Sequence, residues 1–462
     1  MARTKTKTID MTEGSIFGKL LAFAIPLMLS GVLQSLYNAA DNLVVGRFAS
    51  EAALAAVGAC GSICSLLVAV FISISVGTSV TVAHAVGAKD KARTERLVHT
   101  SVTLSLALGV FVTVVGLLAA RPLLLMMNTP DDILGMATDY LRIYCAGALF
   151  SIFYNFGAAI LRSAGDSRRP LYFLAISGAV NVALNLVFVI GLGMTADGVA
   201  LATAISQALS AVLVLFALLS RTDDCRLSLR ALRICRGELS DVLRIGIPAA
   251  IQGALFSISN MMVQSTVNTF DTPAVAGNTA ARQLDDFIWM ATNSVGVSSV
   301  TAIGQNMGAR KLSRIPRAVF SCLLVGTLTS ALMSVVVYFS APTLLYLFLP
   351  NGGEAMNYAL IRIAILSTTY FTAAWMDTMS SIMRGLGYSL LPMIVAVFGV
   401  CGIRMLWIAL IFPLAPTYET AFYCFPVSWV LTALAHFTCF LIVFRRIRRR
   451  ETEKEPALAA NA

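Results

Sequence analysis

A chain of 462 residues that is 58% hydrophobic and only 13% charged carries far more apolar surface than a soluble core needs. Its apolar residues come in long runs, not in short alternating segments, which excludes a transmembrane β-barrel and points to an all-α polytopic membrane protein. The net charge of +10 fits basic cytoplasmic loops and not a nucleic-acid partner, and the nine cysteines, without metal-ligand spacing, read as small apolar filler.

In chain order, residues 1–16 form a basic tail with Arg3, Lys5 and Lys7. No small-residue cleavage site follows the first apolar run, so the first helix serves as its own insertion signal. Apolar segments are expected near 17–45, 53–86, 98–120, 137–161, 170–193 and 197–219. A second set follows near 242–268, 275–305, 318–340, 356–383, 391–412 and 420–444. This gives about twelve membrane helices: an N-lobe over 17–220, a basic cytoplasmic linker over 221–241, a C-lobe over 242–444 and a tail over 445–462. Alternating Leu and Arg in the linker suggest a short amphipathic helix on the anionic inner leaflet. Alternate connections hold Lys89 to Arg96, Arg162 to Arg169, Arg221 to Arg236 and Arg310 to Arg317, and the tail RRIRRR falls on the same side. The opposite connections offer little beyond Arg47 and Arg121, so both termini are expected in the cytoplasm.

The first helix contains GVLQSLYNAADNLVVGR (31–47), in which Gln34, Asn38 and Asp41 fall on one stripe. A carboxylate at the centre of a membrane helix costs roughly 2.5–3.5 kcal/mol on insertion scales, so the stripe should face protein or a water-filled cavity. Gln34 and Asn38 also fit helix-packing contacts. Asp41 lies six residues before Arg47, roughly 9 Å below the outer end at about 1.5 Å per residue. Asn185 on the fifth helix and Thr203 on the sixth come to the same layer, roughly 13 Å and 9 Å deep. Asn181 and Ser177 extend the stripe of Asn185 inward. A carboxylate among amides and a hydroxyl can hold a proton or a small hard cation such as Na⁺.

The chain also repeats itself. LLAFAIPLMLSGVLQSLYNAA (20–40) aligns with VLRIGIPAAIQGALFSISNMM (242–262), pairing Pro26 with Pro248 and Asn38 with Asn260 at a spacing of 222. LRSAGDSRRP (161–170) aligns at the same spacing with MRGLGYSLLP (383–392), and VGAKDKAR (86–93) with MGARKLSR (307–314) after a one-residue adjustment. With six helices in each repeat, both halves enter the membrane in the same direction, related by a pseudo-twofold axis along its normal.

The second half lacks the acid of the first, since Asp41 aligns with Val263. Its own acid, Asp377, has Asn155 as counterpart and fits either a coupling role or a structural pair with Arg404. Arg282 and Asp286, at i and i+4 near the outer end, fit a snorkelling structural pair. His84, His99 and His436 are too scattered to make a site. There is no G-x-x-x-x-G-K-[ST] loop and no nucleophile elbow, so neither ATP-driven pumping nor enzymatic catalysis is expected.

The segments GVLQSLYNAADNLVVGRF (31–48), LRSAGDSRRP (161–170), NVALNLVFV (181–189), GVALATAISQ (198–207) and IGQNMGA (303–309), in this order and with the duplication, resemble the multidrug and toxic compound extrusion (MATE) family, in its bacterial DinF-like and related branches. The resemblance covers about 15–445. It implies a monomeric two-lobed antiporter of the bacterial plasma membrane that expels amphipathic, often cationic compounds in exchange for H⁺ or Na⁺, with no cofactor. Its first-helix acid falls on Asp41, its fifth-helix polar positions on Asn181 and Asn185, and its sixth-helix Thr on Thr203. Many members carry Asp where this chain has Asn185, which weakens a Na⁺ site and favours proton coupling. The seventh-helix Glu of another branch is absent near Phe256, and that branch's tenth-helix acid has its counterpart in Asp377. A lipid-linked oligosaccharide flippase of the same superfamily is the alternative, although the cavity helices show no dense Arg cluster for a pyrophosphate.

Overall fold

The computed structural model describes residues 8–48, 51–350 and 352–459, apart from the side chains at 38–40, 42–43, 45–48, 51, 54, 62 and 454–459. The apolar runs form α1 (Ile16–Phe48), α2 (Glu51–Gly87), α3 (Lys91–Met126), α4 (Asp131–Ser163), α5 (Arg168–Gly191) and α6 (Ala196–Leu219). The second set forms α7 (Arg236–Val267), α8 (Thr272–Gly308), α9 (Ile315–Leu345), α10 (Glu354–Gly385), α11 (Leu390–Leu414) and α12 (Tyr418–Ala459). Eleven of these are long and apolar enough to cross a membrane. The remaining one, α8, matches them in length at 37 residues but carries Arg282, Asp285 and Asp286 in its first half.

Local chemistry sets the helix starts. Asp90 accepts the Arg93 N–H at 3.0 Å to open α3, Asp166 accepts the Arg169 N–H at 3.1 Å at α5, and Asp271 accepts the Ala274 N–H at 2.9 Å at α8. The sequence repeat returns as backbone conformation. Gly165 (φ +88°) and Gly387 (φ +91°) occupy equivalent left-handed positions after α4 and α10. Lys89 (φ +55°) and Arg310 (φ +53°) do the same after α2 and α8.

Two compact units result. The first holds Ala22–Ala254 with the described residues up to Asp10, and the second holds Met11–Leu21 with the described residues from Leu255 on. The divisions therefore fall inside α1 and α7. Within the first unit α4 is the central helix, packed against α2, α3 and α6. Within the second, α10 takes the same place against α8, α9 and α12. In the second unit the segment before α1 is tied down: Met11 N–H donates to Gln305 at 2.9 Å, and Asn306 Nδ2 donates to the Met11 carbonyl at 3.0 Å.

The amphipathic helix expected in the linker does not form. The linker expected over 221–241 ends earlier, since α7 already starts at Arg236, and among residues 221–235 only Leu229–Ala231 makes a single 3₁₀ turn. Other bonds hold this chain: Cys225 and Leu227 are buried, Ser228 N–H donates to His99 Nε2 at 3.1 Å, and Cys235 N–H donates to Thr100 Oγ1 at 3.2 Å. Those anchors on α3 satisfy backbone donors that a helix would have used internally.

Candidate ion-coupling and substrate site

The polar layer is built on three helices of the first unit. α1 and α5 lie close because Gly178 leaves room for the Tyr37 ring, whose hydroxyl donates to the Ala175 carbonyl at 3.1 Å. A Cβ at position 178 would fall 1.8 Å from that ring. One turn farther along α1 and two along α5, Asn185 Nδ2 donates to Asp41 Oδ1. Asn185 is fully buried, and among the described residues its own amide oxygen has no hydrogen-bond partner. Asn181, one turn back, offers its oxygen to Asn185 Nδ2 at 3.5 Å and its nitrogen to Thr203 Oγ1 at 3.5 Å. Asp41, Asn181, Asn185 and Thr203 thus form one cluster. Asn185 also marks a change of winding, since α5 continues over Leu186–Gly191 as a π-helix. Such a bulge re-aims side chains and often accompanies a functional site.

A pocket opens beside this cluster between α2, α4 and α6. Its polar lining is Tyr144, Ser151, Asn155, Thr203 and Gln207, with Phe71 and Leu67 among its apolar residues. Thr203 belongs to both pocket and cluster. α6 can approach α4 here because Gly147 faces Ala204, and a Cβ on Gly147 would sit 2.9 Å from the Ala204 methyl. Tyr144, Ser151 and Gln207 escape a reading by motif, although 144, 151 and 155 fall on one stripe of α4. Gln34 is half-buried on α1, and the side chain of Asn38 is outside the described residues.

In the second unit two sequence expectations are corrected. Arg404 does not pair with Asp377. It donates from Nη1 to Asn260 Oδ1 at 2.8 Å and from Nε to Ser428 Oγ at 3.2 Å, and its guanidinium stacks 4.1 Å from the Phe425 ring centroid. Its side chain is therefore committed to α7 and α12, while the Asp377 carboxylate lies beside Gly296 and Ser381. Arg282 and Asp286 are exposed, and among the described residues neither lies within ion-pair distance of the other. The ion pair of α8 belongs to the preceding residue: Asp285 Oδ2 accepts from Arg362 Nε at 2.9 Å and Nη2 at 2.8 Å. Arg362 also donates to Asn278 Oδ1 and stacks over Phe422. Asp285 faces α10 and must be paired there, whereas the exposed Arg282 and Asp286 have no such need.

The fold and the site together define a polytopic membrane transporter made of two repeated six-helix units. The MatE family model matches the chain twice, over residues 26–187 and 248–410, so this protein belongs to the MATE family. The two matches begin 222 residues apart, the period of the internal repeat. A probable multidrug resistance protein, YoeA of Bacillus subtilis, is 28% identical over 86% of this chain and 87% of its own length. A protein named FAD transporter from Shewanella oneidensis is 22% identical over 76% of this chain and 78% of its own length. The crystal structure of MATE in complex with MaL6 superposes with a TM-score of 0.90 at 23% identity, covering 96% of this chain and all of that one.

Proposed function

We propose that this protein is a secondary antiporter that exports amphipathic compounds, cationic ones among them, across a bacterial plasma membrane, with Asp41 carrying the coupling ion. The observation that carries the reading is the Asp41–Asn185 bond, set in a cluster that shares Thr203 with a pocket of mixed apolar and polar lining. A carboxylate in this layer has two states. Protonated, it is neutral and the helix faces can pack. Ionised, it demands donors, water or a cationic substrate. Two states biased by one ion are what alternating access needs.

The proton is the favoured ion because of the donor set. Asp41 is the carboxylate of a cluster otherwise made of Asn181, Asn185 and Thr203. A Na⁺ ion would be held better by a second carboxylate, where this chain has Asn185. The YoeA-type relatives, named for multidrug resistance, support export of drug-like compounds.

The test is export from proteoliposomes with the two gradients imposed separately. An imposed pH gradient should drive export without Na⁺. Export that needs a Na⁺ gradient and ignores a pH gradient would contradict the proton assignment.

A further inference from the structure

The hydrogen bond between the first and fifth helices of the first unit has a partner in the second. In the first unit Asn185 of α5 donates to Asp41 of α1 across 144 residues. In the second, Arg404 of α11 donates to Asn260 of α7, also across 144 residues. At the repeat spacing of 222, Asn260 corresponds to Asn38, one turn from Asp41. The same helix pair is thus joined at nearly the same level in both units. The charge at the junction is inverted: a carboxylate in one, a guanidinium in the other.

Arg404 is buried at 4% exposure, yet among the described residues no carboxylate lies within ion-pair distance. The contrast with Arg362 is direct. Both guanidiniums stack on aromatic residues of α12, Arg362 on Phe422 and Arg404 on Phe425. Arg362 has Asp285; Arg404 has two neutral oxygens and a ring face. A buried cation without a counter-charge is costly and inside membrane proteins marks a ligand path or an ion site. The backbone around it is also unusual. Arg404 sits on the single α-turn Ile403–Leu406, flanked by π-helical stretches at Val397–Gly402 and Trp407–Ile411. Such π-helical turns often accompany functional sites.

We propose that Arg404 is the centre of an anion-binding subsite in the second unit, which takes the carboxylate or phosphate group of an amphipathic substrate. Guanidinium suits both groups by its planar fork, and Trp429, packed against the edge of Phe425, adds an apolar neighbour for the substrate body. The proposal rests on the transport reading above but does not depend on how transport is energised.

The experiment is ligand binding to the purified full-length protein in detergent, where no gradient enters. The probes are norfloxacin and its methyl ester, which differ by one anionic carboxylate. All four tryptophans (289, 375, 407 and 429) lie in the second unit, so quenching of intrinsic fluorescence reports on ligands there. The acid should bind about tenfold more tightly than the ester, as a charge-assisted Arg–carboxylate contact gives. Arg404→Gln should remove that preference, and Arg404→Lys should keep part of it. Equal affinity of the wild-type protein for the two probes, including binding of neither, overturns the proposal. So does an unchanged preference in Arg404→Gln. The wild-type comparison decides even where Arg404→Gln does not fold. Repeating it in nanodiscs separates the sources of the anion. If phosphatidylglycerol displaces norfloxacin and phosphatidylcholine does not, the subsite also takes an anionic lipid phosphate. Failure of the antiport reading shows elsewhere, in gradient-driven export.

Discussion

Asp285 and Arg362 are both buried, and each would be left as an isolated charge if the other were removed. Asp285→Ala is therefore expected to destabilise the protein by about 3–5 kcal/mol, read as a fall in thermal unfolding temperature in detergent. Replacing both with leucine should recover most of that loss, since a buried pair often gains little over apolar packing. A single change costing less than about 1 kcal/mol would show that the pair is solvated. The sequence made Asp41 legible because it stands alone among amides in an apolar run. Arg404 and Asp285 were not legible in the same way. Spacing along one helix tells which residues share a face, but not which neighbouring helix that face meets. Arg404 therefore looked available to Asp377, and Asp286 looked available to Arg282, until the packing of α11 and α8 fixed their directions.

At the scale of elements, the contact between α1 and α5 sets the geometry of the polar layer. Gly178→Ala puts a methyl group into the Tyr37 ring. The change should cost about 1–3 kcal/mol and slow export by loosening the Asp41–Asn185 junction. Adding Tyr37→Ala should recover stability, and a stability loss that persists in the double variant would place the strain elsewhere. The linker offers a second test. Burial pushes the Asp223 carboxyl upward, but the hydrogen bond and charge of Arg221 outweigh it and hold the group below its ordinary value of 3.8. The folded value is depressed, so the contribution is complete above the unfolded value and is lost as pH falls through the folded one. Amide exchange at Cys225, whose N–H donates to Asp223, should accelerate relative to the intrinsic rate only in that acid window. Equal protection in Asp223→Asn would show that the ion pair does not hold the linker. The helices themselves were readable from apolar run length. The π-helical segments of α5 and α11 were not, because a one-residue change in hydrogen-bond pattern leaves composition untouched.

For the whole molecule, the duplication explains why one family model fits twice and why α4 and α10 hold equivalent central places. The two units have nonetheless diverged in charge, with an acid at the junction of one and a base at the junction of the other. We propose, from the distribution of Lys and Arg, that both termini and the 221–235 segment are cytoplasmic. Single cysteines at Ser228 and Thr417, both exposed, check this in a background whose native cysteines are replaced. An impermeant maleimide should label Thr417→Cys in intact cells and leave Ser228→Cys unlabelled; the reverse pattern would invert the topology.

The central claim is that Asp41 carries the coupling ion. Asp41→Asn fixes the neutral state of that side chain and should leave the protein folded. The measurement is efflux from proteoliposomes under an imposed pH gradient, set against gradient-free exchange of substrate in the same vesicles. Wild-type protein should concentrate substrate when the gradient is applied. Asp41→Asn should still exchange substrate but gain nothing from the gradient. Gradient-driven efflux at the wild-type rate in Asp41→Asn would contradict the account.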